Sequence, residues 1–261
     1  MKNKIISGMA TFIIMAVGCS EKYAIDSLGI EVTAEENREY SYTDKQSGFW
    51  YGSTHGGDLQ WFSGWNIAKK RIFSDYQLVV DGKLLDRAEA ECTVYPDRLE
   101  RRWDNAEETF RLIDNRPIIH IALKTQSGNS LIDLDRSLIS DFYTDGGARF
   151  YVPVEDPQKR VMVESDLDGG FVITYGTEEE CRALYIEFME HGQKLIQERR
   201  DRINSLVTEN NPVKSNLPEL DKALDWITIT MDELITCQQG NGIYAGLPWF
   251  NEYWGRDMFI S

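Results

Sequence analysis

Arg256 and Asp257 stand side by side in the run Leu247-Pro-Trp-Phe-Asn-Glu-Tyr-Trp-Gly-Arg-Asp-Met-Phe-Ile-Ser261, and their types suit one chemical task. A guanidinium presents a rigid planar fork of donors and the adjacent carboxylate presents acceptors. The pair can therefore grip two neighbouring hydroxyls of one sugar with opposite polarity. Trp249 and Trp254 add apolar walls for the C–H face of the ring. These four are the candidate substrate-binding residues. A purely structural reading fits the same residues, with Asp257 as a first-turn acid at a helix N-terminus and Trp249, Phe250 and Trp254 as core. Glycosidic cleavage by inversion also needs an acid and a base about 6.5–9.5 Å apart. Glu252 and Asp257 are the only acids in the run, and neither is assigned a catalytic role.

Ala245-Gly-Leu-Pro-Trp-Phe250 followed by Trp254-Gly-Arg-Asp-Met-Phe-Ile260 resembles the start of the catalytic domain in glycogen debranching enzymes, the amylo-α-1,6-glucosidases. Glucoamylases are similar at the same place. Met258 stands where that family usually has Thr, and Glu252-Tyr253 replaces a more compact spacer. The resemblance implies that Arg256 and Asp257 hold the non-reducing-end sugar of an α-glucan, which closes the site to internal chains and makes the action exo. It implies an intact parent that removes single α-1,6-linked glucose units, using no cofactor. In the family the catalytic acid and base lie much farther along an (α/α)₆ barrel, so this chain alone is expected to hydrolyse nothing. Other (α/α)₆ glycosidases, such as trehalase-like enzymes, share that barrel. The competing reading is a lipid-anchored β-sandwich that binds glycans or a partner protein without catalysis.

Composition narrows the partners. With 28 Lys+Arg against 43 Asp+Glu, a formal charge of −15 repels polyanions and argues against nucleic acid. A neutral glucan meets no such barrier. Residues 1–19 carry Lys2 and Lys4 and then an apolar run from Ile5 to Val17, too short to span a bilayer and suited to a secretory signal. Ala16-Val-Gly-Cys19 is similar to a bacterial lipobox. It implies lipidation of Cys19 and a tether to the membrane of the cell envelope, with simple secretion as the alternative. Residues 20–38, polar and acidic, are expected to be a spacer. The other thiols, Cys92, Cys181 and Cys237, are widely spaced, which predicts at most one disulfide and small buried hydrophobes otherwise. His55, His120 and His191 are isolated, so no metal site is expected.

The elements that must position the C-terminal run read as an α+β multidomain chain: an N-terminal antiparallel β-sandwich followed by helices that, as the resemblance implies, are a helical linker and the truncated start of an (α/α)₆ barrel. Over residues 39–176 the apolar period is two, with strands expected at Cys92–Tyr95, Leu99–Trp103, Thr109–Ile113, Ile118–Lys124, Arg149–Val154, Arg160–Glu164 and Phe171–Tyr175. Asp81-Gly82 predicts a two-residue hairpin. Phe49-Trp-Tyr51 with Trp61, Phe62 and Trp65 is most simply sandwich core, the alternative being a glycan-stacking platform that includes Trp50 and Trp61.

Residues 177–211 shift to helical period, with Cys181, Leu184, Phe188, Leu195, Ile196, Ile203 and Leu206 on one stripe and a kink expected at Gly192. Glu198-Arg-Arg-Asp-Arg202 reads as a solvated helix face. Asn210-Asn-Pro212 breaks the helix. Residues 212–261 open with a helix from Pro218 to about Cys237, expected to bury Leu220, Leu224, Ile227, Met231, Leu234 and Ile235. A twelve-helix barrel needs well over about 120 residues. Too few follow Pro212, so the chain is expected to be part of a longer protein.

Overall fold

The computed structural model describes residues 23–57, 59, 61–126, 129–209, 215–238 and 240–255. The signal segment with Cys19, and the pair Arg256 and Asp257, lie outside the described residues. Among those described, nine strands form one antiparallel sheet. Its spatial order is Ile30–Val32, Glu91–Val94, Leu99–Trp103, Ala106–Leu112, Ile118–Thr125, Phe171–Gly176, Arg160–Ser165, Ala148–Pro153 and Ile139–Asp145. A four-stranded sheet (Glu39–Thr43, Gly48–Ser53, Gly64–Ile67, Lys70–Phe73) and a three-stranded one (Ser130–Leu134, Tyr76–Val80, Lys83–Leu84) complete the β-sandwich-like N-terminal region.

The period-two pattern explains why these strands pack. In Ala106–Leu112 alternate residues are buried, and Phe110 and Leu112 join Trp50, Trp65 and Tyr76 from the smaller sheets in one core. The intervening positions face the other way. There Ile113, Ile118 and Val172 pack against Phe188 and Leu195 of a long helix, α1 (Glu178–Thr208). The expected hairpin closes between Tyr76–Val80 and Lys83–Leu84, with Asp81 and Gly82 at φ +50 and +73 as a two-residue turn requires.

Helix α1 starts at Thr177 because a capping box closes there. The Thr177 hydroxyl accepts from the Glu180 N–H at 3.2 Å, and the Glu180 carboxylate accepts from the Thr177 N–H at 2.7 Å. The helix runs unbroken through Gly192 rather than being interrupted there. A Cβ at that position would stand 2.9 Å from the Phe188 ring, so the glycine makes room for packing.

Three expectations are overturned. The run Glu198–Arg202 is a solvated face only at Glu198 and Asp201: Arg199 is 2% exposed, and its guanidinium reaches Asp114, Glu233 at 3.1 Å and the Thr43 carbonyl at 2.8 Å. Arg200 pairs with Asp26 and Asp97, and Arg202 with Asp114 and Asp232. A buried charge persists only when paired, and these partners lie far away in sequence, where helical period cannot reveal them. The segment expected to be a spacer is also folded over Ala24–Val32. Ile25 and Leu28 are buried against Ile203, Val207 and Ile229, and Ile30–Val32 pairs with Glu91–Val94.

The third concerns α2 (Pro218–Leu234). It buries Asp225, Ile229 and Glu233, while Leu220, Ile227, Met231 and the following Ile235 are exposed. The Glu233 carboxylate, which accepts from the Thr43 N–H at 2.7 Å and pairs with Arg199, turns that polar stripe toward the β-domain. A charge partner already in place has outweighed apolar periodicity.

Candidate functional site

After α2 the chain forms a small sheet of Ile235–Thr236, Gly242–Gly246 and Phe250–Tyr253. Tyr253 anchors it. Its ring packs on Tyr244 with centroids 5.6 Å apart, and its hydroxyl lies 2.9 Å from the Thr236 hydroxyl and accepts from the Gln238 N–H at 2.8 Å. Tyr244 is buried beneath, where loss of solvent pushes its phenol up to about 12. With that side fixed, the tight turn through Leu247, Pro248 and Trp249 carries its aromatics outward. Trp249 is 55% exposed, Phe250 52% and Trp254 45%, and Phe250 meets Trp254 edge-on at 5.8 Å.

A second segment comes to the same place. Trp61 and Phe62 both adopt left-handed backbone, φ +61 and +59, a conformation uncommon for bulky side chains. The loop is held there by Asn66, whose amide donates to the Phe62 carbonyl at 2.7 Å, and by Arg71, whose Nε donates to the Ser63 carbonyl at 2.7 Å. Phe62 meets Trp249 edge-on, with centroids 5.8 Å apart at 88°. Lys69 and Glu252 add an exposed ion pair of 2.8 Å between the same two regions. Trp61, 69% exposed, stands beside this contact in sequence.

Of the four candidate substrate-binding residues, Trp249 and Trp254 are therefore surface aromatics with different ring partners, while Arg256 and Asp257 lie outside the described residues. The stacking platform suggested on the β-domain divides. Trp50 is core: it packs on Phe73, Tyr76 and Phe110, and its indole N–H donates to the Tyr40 hydroxyl at 3.0 Å. Phe49, Tyr51 and Trp65 are buried as well. Trp50 cannot stack on a ligand, and Trp61 can.

Sequence reasoning missed the meeting of Phe62 with Trp249. The available signal was the local density of aromatics in both segments. Their juxtaposition depends on how the C-terminal hairpin docks. Chemically the ledge offers apolar faces for sugar C–H surfaces, bordered by the Lys69–Glu252 pair.

No group of three or more His, Cys, Asp or Glu side chains gathers to hold a metal among the described residues. Cys92 and Cys181 are buried thiols, each pushed up to about 11 by burial, whereas Cys237 is exposed and so departs from the buried role expected of it.

Comparison with known proteins adds three findings. No curated protein matches the chain. The periplasmic domain of YidC from Thermotoga maritima is similar at 11% identity with a TM-score of 0.40, over 64% of this chain and 98% of that one. Residues 205–261, which contain the exposed Trp249 and Trp254, match the family described as amylo-alpha-1,6-glucosidase.

Proposed function

We propose that the chain is the N-terminal part of an exo-acting α-glucosidase of the glycogen-debranching type, which removes α-1,6-linked glucose from branched α-glucans. The observation that carries this reading is the family match over residues 205–261, in the segment where Trp249 and Trp254 are solvent-exposed. In this reading Arg256 and Asp257 bind the terminal glucose, Trp249 and Trp254 wall it, and the catalytic acid and base come from beyond these residues. Residues 39–176 serve as a β-domain, 177–211 as a linker and 212–261 as the opening of an (α/α)₆ barrel. The uncovered apolar stripe Leu220, Ile227 and Met231 supports the last point, since a barrel's neighbouring helices would bury it. A signal peptide and a lipidated Cys19 would hold the protein in the bacterial cell envelope.

A second reading, a non-catalytic glycan-binding module, is favoured by one feature: exposed Trp61 and its neighbour Phe62 extend the ledge onto the β-domain. Calorimetric titration with panose, isomaltose and maltotriose separates the two. The debranching reading expects Asp257→Ala to weaken panose binding by tenfold or more, about 1.4 kcal/mol, with an unchanged melting temperature. Binding lost in Trp61→Ala but retained in Asp257→Ala would select the module. A large fall in melting temperature with Asp257→Ala would assign that residue a structural role instead.

A further inference from the structure

On the sheet face that α1 covers, Arg111 and His120 are direct cross-strand partners in the strands Ala106–Leu112 and Ile118–Thr125. Arg111, which is half-buried, differs from the buried arginines. Arg98, Arg101 and Arg199 each hold a carboxylate, with Glu100, Glu108 and Asp114 respectively. The Arg111 side chain makes no hydrogen bond or ion pair among the described residues, and its Nε is sealed from solvent without a partner. The acid acting on it most strongly, Asp97, is already engaged by Arg98 and Arg200. Burial pushes the Arg111 guanidinium down to about 10, so it remains a cation at neutral pH.

His120 is the second unfinished group. Its Nε2 lies 3.1 Å from an Asp166 carboxylate oxygen. Burial opposes the charge on Asp166, but hydrogen bonds from His120 and from the Gly170 and Asp168 N–H groups hold the carboxyl below its usual range. Nε2 therefore carries the proton and Nδ1 is left a bare acceptor, and that atom too is buried without a partner. Burial lowers the His120 pKa and keeps the ring neutral above its ordinary titration range. Both residues line a cavity of about 630 Å³ between the sheet and the turn of α1 around Gly192. Lys124 and Lys194 also border it, with Asp166, Asp168 and Glu190 as its acids.

A sealed guanidinium N–H and a buried ring acceptor, each lacking a partner, cost stability unless a ligand completes them. We propose that this cavity binds a small oxyanion that also bears a hydroxyl, its charged oxygens taken by the Arg111 fork and its O–H donated to His120 Nδ1. Hydrogenphosphate and a uronic acid share that chemistry. Sulfate matches the charge and lacks the hydroxyl. The site is independent of the sugar ledge and of the debranching reading.

The test uses the full chain at pH 7.5, with thermal melting and calorimetric titration against sodium phosphate, sodium glucuronate and sodium sulfate, and sodium chloride at matched ionic strength as control. The expected result is saturable stabilisation by phosphate or glucuronate, the stronger of the two identifying the ligand class, with sulfate weaker. Arg111→Met is expected to weaken binding roughly tenfold or more, while melting near the wild-type temperature in anion-free buffer because the side chain has no ion pair to lose. Arg111→Gln serves the same purpose should the Met variant fail to fold. His120→Phe should erase the preference for phosphate or glucuronate over sulfate. The proposal is overturned if neither hydroxylated anion acts beyond chloride, if sulfate acts equally in the wild type, or if the Arg111 variants keep the wild-type response.

Discussion

Asp44 shows how one side chain makes the fold sensitive to pH. It is buried, and that burial pushes its carboxyl up to about 7, against the stabilising N–H groups of Gly48 and Gln46 at 2.9 and 2.8 Å. The folded value lies above the unfolded one, so the protonated form favours the fold. This contribution is fully present below about pH 4, the usual aspartate value, and is lost as pH rises through about 7. Asp44→Asn keeps an acceptor oxygen and removes the charge. Its stability relative to wild type, measured by urea unfolding, should therefore climb between pH 4 and pH 8 and exceed wild type at the upper end. A difference that stays flat with pH would refute this.

Two tryptophans give a matched contrast at the same scale. Trp50→Ala empties a site lined by three aromatic rings and is expected to cost about 3–5 kcal/mol. Trp61→Ala removes a surface ring and should change stability by no more than about 0.5 kcal/mol. Equal losses in chemical denaturation would mean that Trp61 is structural.

Among the elements, α1 carries the greatest electrostatic load. Arg199 joins three parts of the chain, meeting Thr43 of the four-stranded sheet, Asp114 beyond the Ala106–Leu112 strand, and Glu233 of α2. Burial alone would lower its pKa, and Asp114 and Glu233 more than reverse this, holding it far above the usual range. Arg199→Met takes one charged donor from each of two carboxylates and from a carbonyl and is expected to destabilise the fold by about 3–5 kcal/mol. Adding Glu233→Leu should recover part of that loss, a coupling that a double-mutant cycle measures. Simple additivity would show that the two residues do not share one network. Thr177→Ala removes the hydroxyl half of the capping box and should cost about 1 kcal/mol, read in the same denaturation assay.

The whole molecule combines a strongly acidic composition with an aromatic ledge and an uncovered apolar stripe on α2. In the proposed reading a neutral glucan gains no long-range attraction from that charge, so its binding should be nearly unchanged between low and high sodium chloride. Loss of glucan affinity on adding salt would mean that charged groups, rather than ring stacking and hydroxyl contacts, dominate recognition. The stripe of Leu220, Ile227 and Met231 is expected to promote self-association, and Ile227→Asp should reduce it in sedimentation velocity. An unchanged sedimentation profile would show that the stripe is inert in solution.

Much of this was legible along the chain. Alternating apolar residues marked the strands Leu99–Trp103, Ala106–Leu112, Ile118–Thr125, Ala148–Pro153, Arg160–Ser165 and Phe171–Gly176 but not Ser130–Leu134 or Ile139–Asp145, Asp81-Gly82 marked a hairpin, and the Thr177 start of α1 followed the shift to helical period. In each case the signal is a pattern among neighbouring residues, so spacing records it. The folding of Ala24–Val32 was not legible, nor was the burial of Arg199, the inversion of α2, or the meeting of Phe62 with Trp249. A buried charge is satisfied, and a ring is covered or left exposed, by groups brought in from distant segments. Those pairings form only when layers pack, which is why tertiary structure alone decided them.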